Sequence, residues 1–453
     1  MIEARGASLT FRDIPGLAHV PAALHSLLAL LFLLYCFIGT NAFSTTSLTQ
    51  RLEGNPLDRI VVLAMATLAI VVLALYWRAV PGMALRSLGV LAIAGIAVLS
   101  MLWSDFPGLT LRRAILLACF TLITAALAAG VRDLRSAHTA FCWGITAIVI
   151  LNLIVIFAMP SLGVDDLGAK GLYSQKNVAG MVGMAAVLAT ATWTARGHRD
   201  GMNVLFGVAM TAIGIAFLIL TRSKTSIGLT FGALAILGIL AFAARSGPTV
   251  ALAVVMAGFL GLFAGLAFLI AHDLDMNAIT LILFGDASFT GRDELWAFAR
   301  KSMFERPWLG HGYGAFWDVG PGRDPLLRLE PGSWLGDVEL GLINQAHNGY
   351  LQLGIELGIP VTILAVFTVL CLIVRGVLLC LLARMPRGTA AGFAYMTAML
   401  VLFLLHNFTE ASLFMRGIVL FNIVLPMMFL LARGRDLLPS PAARPSFSMG
   451  KLP

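Results

Sequence analysis

Two kinds of side chain in this sequence can do chemistry together: cations in short polar turns, and a histidine beside an asparagine and a glycine. Arg222 and Lys224 sit two apart in Thr221-Arg222-Ser223-Lys224-Thr225-Ser226, between two apolar blocks. Lys176 follows Gln175 in Gly171-Leu172-Tyr173-Ser174-Gln175-Lys176-Asn177, and Arg112 and Arg113 enter a further apolar block. Arg292 follows Thr290-Gly291, and Arg306 opens Arg306-Pro307-Trp308-Leu309-Gly310-His311-Gly312-Tyr313-Gly314. Positioned guanidinium and ammonium groups near a low-dielectric edge stabilise an anion, or the charge that builds on a leaving group. His347 lies in Gln345-Ala346-His347-Asn348-Gly349-Tyr350-Leu351-Gln352. An imidazole is the side chain suited to taking or giving a proton near neutrality. The pattern suits a reaction in which fixed cations hold an anion while a proton moves.

What must position these residues is a set of helices in lipid. The chain has 453 residues, 59% hydrophobic and 12% charged, with mean hydropathy +0.91. A soluble chain carries about a quarter charged residues, so lipid is the solvent for most of this surface. Apolar blocks of spanning length lie near 22–43, 60–77, 87–103, 111–130, 138–159, 178–195, 202–220, 225–243, 249–271, 358–383, 391–409 and 412–432. A lipid-exposed backbone must satisfy its own hydrogen bonds, so the blocks are read as helices. The expected fold is all-α and polytopic, with about twelve spans, of which the first is a retained signal-anchor. The net charge of +8 is spread singly and in pairs between blocks, which suits membrane lipids and not nucleic acid. The five cysteines lie inside apolar blocks, are odd in number and read as small hydrophobes.

An even span count puts both termini on one side, and the basic tails make that side cytoplasmic. The turns holding Arg112/Arg113, Lys170/Lys176 and Arg222/Lys224 then face outward. Those cations oppose the positive-inside rule, and anion binding is one reason to keep them there. The expected organisation is helices 1–9 over residues 1–271, a long outer loop with a short interfacial helix over 272–357, helices 10–12 over 358–433, and a cytoplasmic tail from 434 to 453. A loop of that length is commonly functional. Within it a helix is expected over 291–304 with Thr290 as N-cap. The segment 347–357, ahead of Pro360, is expected as a short helix over a cavity mouth.

The outer motifs come in a definite order, from Trp103-Ser104-Asp105-Phe106-Pro107 through those above to Glu356-Leu357-Gly358 and His406-Asn407-Phe408-Thr409-Glu410. This set resembles the O-antigen ligase and polysaccharide polymerase superfamily of bacterial envelope proteins, from about Trp103 to Glu410. The Ser-Lys-Thr-Ser turn looks most like the exopolysaccharide-polymerase branch. The resemblance implies glycosyl transfer at the periplasmic face of the inner membrane. The donor is a glycan on an undecaprenyl-type pyrophosphate, and the acceptor is another lipid-linked glycan or a lipid A core. No metal, nucleotide sugar or other cofactor is implied, transfer in one displacement inverts the anomeric centre, and chain-length regulators or flippases are expected partners.

On that reading Arg222 is the primary pyrophosphate ligand, supported by Lys224, Arg292, Lys176, Arg112 and Arg306. His347 activates or orients the acceptor hydroxyl, with Asn348, Tyr350 and Gln175 in the binding set. The family often has His where Gln175 stands, and Gln cannot titrate, so the proton chemistry falls to His347.

Blander roles compete at several positions. Arg112 and Arg113 can snorkel to headgroups, and Lys176 can flank a helix. His311 can shape a Gly-rich loop in which Gly310, Gly312 and Gly314 supply backbone freedom. Asp165 and Asp166 read as a solvated turn and not a metal site. Asp105 is an alternative base. Glu410 is costly to bury unpaired and is expected to pair with an outer cation such as Arg416. A transporter or flippase is the competing class, but transporters place charges and broken helices near the midplane of related halves. Here the halves do not resemble each other.

Overall fold

The computed structural model describes residues 19–39, 54–196, 201–247, 292–382 and 387–438, with scattered positions between 249 and 264. The long helices are α1 (Val20–Phe37), α2 (Pro56–Leu75), the pair α3 (Val80–Arg86) and α4 (Leu88–Leu99), α5 (Pro107–Gly130) and α6 (Leu134–Ala158). After them come α7 (Lys176–Ala195), α8 (Gly201–Leu220) and α9 (Lys224–Ser246). In the long loop expected to face outward lie α10 (Arg292–Glu305) and α11 (Gly349–Leu357), followed by α12 (Ile359–Leu382), α13 (Arg387–His406) and α14 (Val419–Arg433). A two-residue hairpin, β1 (Val164–Asp165) and β2 (Gly168–Ala169), is the small exception to an all-α chain among the described residues.

Among the described residues nine helices are long and apolar enough to cross a membrane, or ten if one bent pair counts as a span. In that pair 77–86 meets 88–102 at 83°, and only the second helix corresponds to the third expected block, 87–103. The expected span at 249–271 lies largely outside the described residues, as does Thr290. The expected last span, 412–432, is corrected: the helix begins only at Val419 and has 15 residues. The Asn407 side chain accepts from the backbone amides of Ser412 and Leu413, which satisfies them in a turn and keeps them out of a helix.

Three helices form the centre. α5, α7 and α13 bury 72%, 78% and 67% of their apolar windows, whereas α1, α2 and α8 bury 28% each. Small residues allow the close approach. A Cβ on Gly180 of α7 would lie 2.6 Å from Ser226 Oγ, and one on Gly207 of α8 would lie 2.4 Å from Thr194 Oγ1. At the end of the bundle away from the outer loop, Arg433 of α14 donates to the carbonyls of Ala128, Ala129 and Val131 that close α5. His25 of α1 lies 2.9 Å from the neighbouring Leu127 carbonyl.

The outer loop is packed onto the opposite end. Arg113 is 5% exposed, and its guanidinium donates to the carbonyls of Gly314, Trp317 (3.1 Å) and Asp318 (3.0 Å). It is therefore a clasp for the loop and not a headgroup anchor. Gly310, Gly312 and Gly314 have φ of +68°, +103° and +63°. A Cβ on Gly310 would meet the Glu356 backbone at 2.4 Å, and one on Gly312 would meet Ser104 at 2.4 Å. The glycines thus let the loop lie directly on α11 and on the Trp103 turn. His311 N and Gly312 N donate to the Ile355 and Glu356 carbonyls, and Tyr313 OH donates to Phe414 O at 2.8 Å. As a result α11 is buried under the loop and does not lie free over a mouth. We expect Arg113→Met to remove these three hydrogen bonds and cost about 3 kcal/mol. Faster proteolysis between 314 and 345 and a lower Tm of the purified protein would report it.

Candidate functional site

Glu410 is the hub. It is 7% exposed, in the turn between α13 and α14. Its Oε1 accepts from Asn177 Nδ2 at 2.9 Å and from Arg292 Nη2 at 3.1 Å, and its Oε2 lies 3.0 Å from His347 Nδ1. Arg292 also donates to Thr409 O at 2.8 Å. Asn177 accepts from Ser223 Oγ at 3.3 Å, so the network continues into the Arg222 turn. The expected partner of Glu410, Arg416, is thereby corrected to Arg292. Arg416 instead donates its backbone N–H to Tyr313 OH at 3.2 Å.

Burial alone would raise the Glu410 carboxyl, but the hydrogen bond and charge of His347, with the charge of Arg292, hold it below the ordinary carboxylate range. An ionised Glu410 only accepts, so His347 Nδ1 donates to it and Nε2 is the ring atom turned away from the carboxylate. Among the described residues Nε2 has no protein partner, and the side chain is 27% exposed. The imidazole can therefore accept a proton from a hydroxyl placed above it.

His347 is held from both sides. Its own φ is +46°, a conformation L residues rarely adopt. On one side Ala346 N donates to Gln352 Oε1 at 2.9 Å, and Ala346 O accepts from Trp296 Nε1 at 3.1 Å. On the other, Asn348 caps α11 by accepting from Tyr350 N and Leu351 N, and Gly349 N donates to Asn407 O at 2.8 Å. A Cβ at Gly349 would sit 1.8 Å from Asn407 Oδ1, so no larger residue fits.

The remaining expected site residues divide. Arg222, at φ +51°, and Lys224 are exposed and have no ion-pair partner among the described residues. Gly168 packs on this turn, where a Cβ would come within 2.5 Å of Thr221 O and 3.2 Å of Arg222 Cβ. Lys176 donates to Leu167 O at 3.1 Å, one residue before the Gly168 that packs on the Arg222 turn. Gln175 is exposed and precedes α7 without capping it. Arg112 is exposed on the first turns of α5.

Others serve the scaffold. Arg306 pairs with Asp105 at 2.9 Å, away from Glu410, which also occupies the alternative base. Asn348 donates to Phe408 O, and Tyr350 OH donates to Leu404 O at 2.6 Å. Burial pushes the Tyr350 phenol up to about 12. It likewise pulls His311 below the imidazole range, and His311 Nε2 lies 3.2 Å from Ser302 O in the loop core. Asp165 accepts from Leu167 N and Gly168 N in an exposed turn. Among the described residues no three His, Cys, Asp or Glu side chains gather as a metal site would.

Glu410, Asn177, Ser223 and Asn407 were absent from the expected set. The signal for Glu410 was present, because a carboxylate between two apolar blocks demands a partner.

Residues 209–366 match the family model described as O-antigen ligase. The match spans the Arg222 turn, the outer loop and His347, and it supports the resemblance to the O-antigen ligase and polysaccharide polymerase superfamily. No curated protein matches the chain.

Proposed function

We propose that this chain, in which residues 209–366 carry the O-antigen ligase family's domain, transfers glycan from a polyprenyl-pyrophosphate donor to a glycan acceptor at the outer face of a bacterial inner membrane. The activity type is that of a membrane glycosyltransferase of the ligase and polymerase kind. The finer reading is a polymerase of lipid-linked repeat units; transfer to a lipid A core uses the same chemistry with another acceptor. The observation that carries this reading is the His347–Glu410 pair, joined through Asn177 and Ser223 to the turn that presents Arg222 and Lys224.

In this mechanism Arg222, Lys224 and Lys176 hold the pyrophosphate of the donor. His347 Nε2 accepts the proton of the attacking hydroxyl as the new glycosidic bond forms. The sugar–phosphate bond breaks with its electron pair going to the pyrophosphate, which leaves on the polyprenol. Attack opposite the leaving group inverts the anomeric centre. Glu410 fixes the imidazole tautomer and stabilises the imidazolium, as a carboxylate behind a catalytic histidine does elsewhere. Arg292 sets the orientation of Glu410.

The test uses full-length protein in liposomes with lipid-linked donor and acceptor on the same side. Product should form without an ion gradient and with inverted linkage; transport without product would overturn the proposal. Arg222→Ala should lower kcat about 10²–10³-fold, the loss typical of one preorganised group at a developing negative charge. Cysteine labelling at positions 222 and 347 should report the same side of the membrane.

A further inference from the structure

A separate cavity of 510 Å³ lies away from the Glu410 network, bordered by α1, the end of α5, α6, α13 and α14. It runs along α1 from His25 to Phe37, a length of about 18 Å at 1.5 Å per residue. The hydrocarbon of one leaflet is about 15 Å thick, half of a ~30 Å core. The cavity is therefore as long as one hydrocarbon chain, and its walls are mostly apolar. Small residues at Ala137 and Ala140 leave the room for it. Its side opens toward lipid between α1 and α6, where Ser26, Leu30 and Ala140 are exposed.

The lower rim is cationic. Val131 and Leu134 line the cavity, and the exposed Arg132 and Arg135 stand beside them. Arg132 stacks on Tyr76 at 5.4 Å and has no acidic partner among the described residues. The intervening Asp133 is engaged as the N-cap of α6, accepting from Arg135 N and Ser136 N. An apolar slot one leaflet long, ending at two arginines, is complementary to a lipid with a hydrocarbon chain and an anionic phosphate headgroup. We propose that this cavity is a binding site for an anionic phospholipid, with one chain between α1 and α6 and the phosphate at Arg132 and Arg135.

Full-length protein, stripped of lipid in detergent, would be titrated with phosphatidylglycerol and with phosphatidylcholine, following binding by native mass spectrometry and Tm. Wild type should bind phosphatidylglycerol more tightly and gain Tm with it. Ala137→Phe fills the slot, and Ala140→Phe blocks its exposed lip without entering the packed wall. Both should lose the bound lipid while keeping the Tm of stripped wild type. Arg132→Gln should reduce the preference for phosphatidylglycerol roughly fivefold, the effect of one basic residue at an anionic headgroup. Equal binding of the two lipids by wild type, or unchanged binding in both phenylalanine variants, would overturn the proposal.

Discussion

Replacing His347 with alanine should lower the turnover of glycan transfer by about 10²–10⁴-fold, the range for a positioned general acid–base group, while the protein still reaches the membrane. On the proposed reading His347 takes the proton, and the other candidates among the described residues are buried or engaged: His406, four residues before Glu410, is 1% exposed. Asp105 is paired with Arg306, and Tyr350 is held up near 12 with its hydroxyl on Leu404 O. His311 is committed to the loop core. Donor binding rests on cations from other segments, so the KM for donor should change little while kcat falls. Measured donor affinity that fell in step with turnover would mean that His347 binds and does not exchange protons.

Glu410→Ala should be nearly as damaging to turnover, about 10²–10⁴-fold by analogy with the carboxylate behind a catalytic histidine, and it should also destabilise the protein. It removes the carboxylate from Arg292 and leaves His347 without its orienting partner. Glu410→Gln separates the two effects. Its amide oxygen can still accept one hydrogen bond but carries no charge, so kcat should fall with donor KM unchanged and the loop should remain folded. The pH dependence follows from the carboxyl's lowered value. Stability from a carboxylate lowered on folding is fully present above its ordinary pKa and is lost as pH falls through the lowered one. The Tm advantage of wild type over Glu410→Gln should therefore be complete at neutral pH and vanish in acid below the ordinary carboxylate range. A constant difference across that window would place the effect of Glu410 in packing and not in charge.

Much of this arrangement is legible in the residues, because hydropathy acts over whole helices. The blocks at 111–130, 178–195 and 391–409 correspond to the three central helices. The errors arise where apolar residues are buried without helix. Leu413 and Phe414 read as the start of a span, yet they lie in a turn held by Asn407, with Phe414 at φ +54°. Hydropathy cannot distinguish these cases, since both remove apolar surface from solvent.

The site is harder to read than the fold. The need of Glu410 for a partner is visible in its surroundings, but the choice between Arg292 and Arg416 is set by how α10 packs beneath the loop. Arg416 is six residues away and Arg292 is 118 away. Similarly, Asn348 and Tyr350 have the chemistry of substrate ligands, and only the geometry reveals that their polar atoms cap α11 and tie it to α13. Cations in short turns, such as Arg222 and Lys224, are conspicuous because the turn lies between two apolar blocks.

The dependence of the Arg222 turn on Glu410 has a consequence for biosynthesis. Ser223 and Asn177 emerge from the ribosome long before residue 410. At 5–20 residues per second the wait is on the order of 10 to 40 s. During that interval the early helices sit in the bilayer with this network incomplete. If the proposed transfer runs through it, competence comes only with the end of synthesis, and a nascent chain stalled before residue 410 would be inserted but inert.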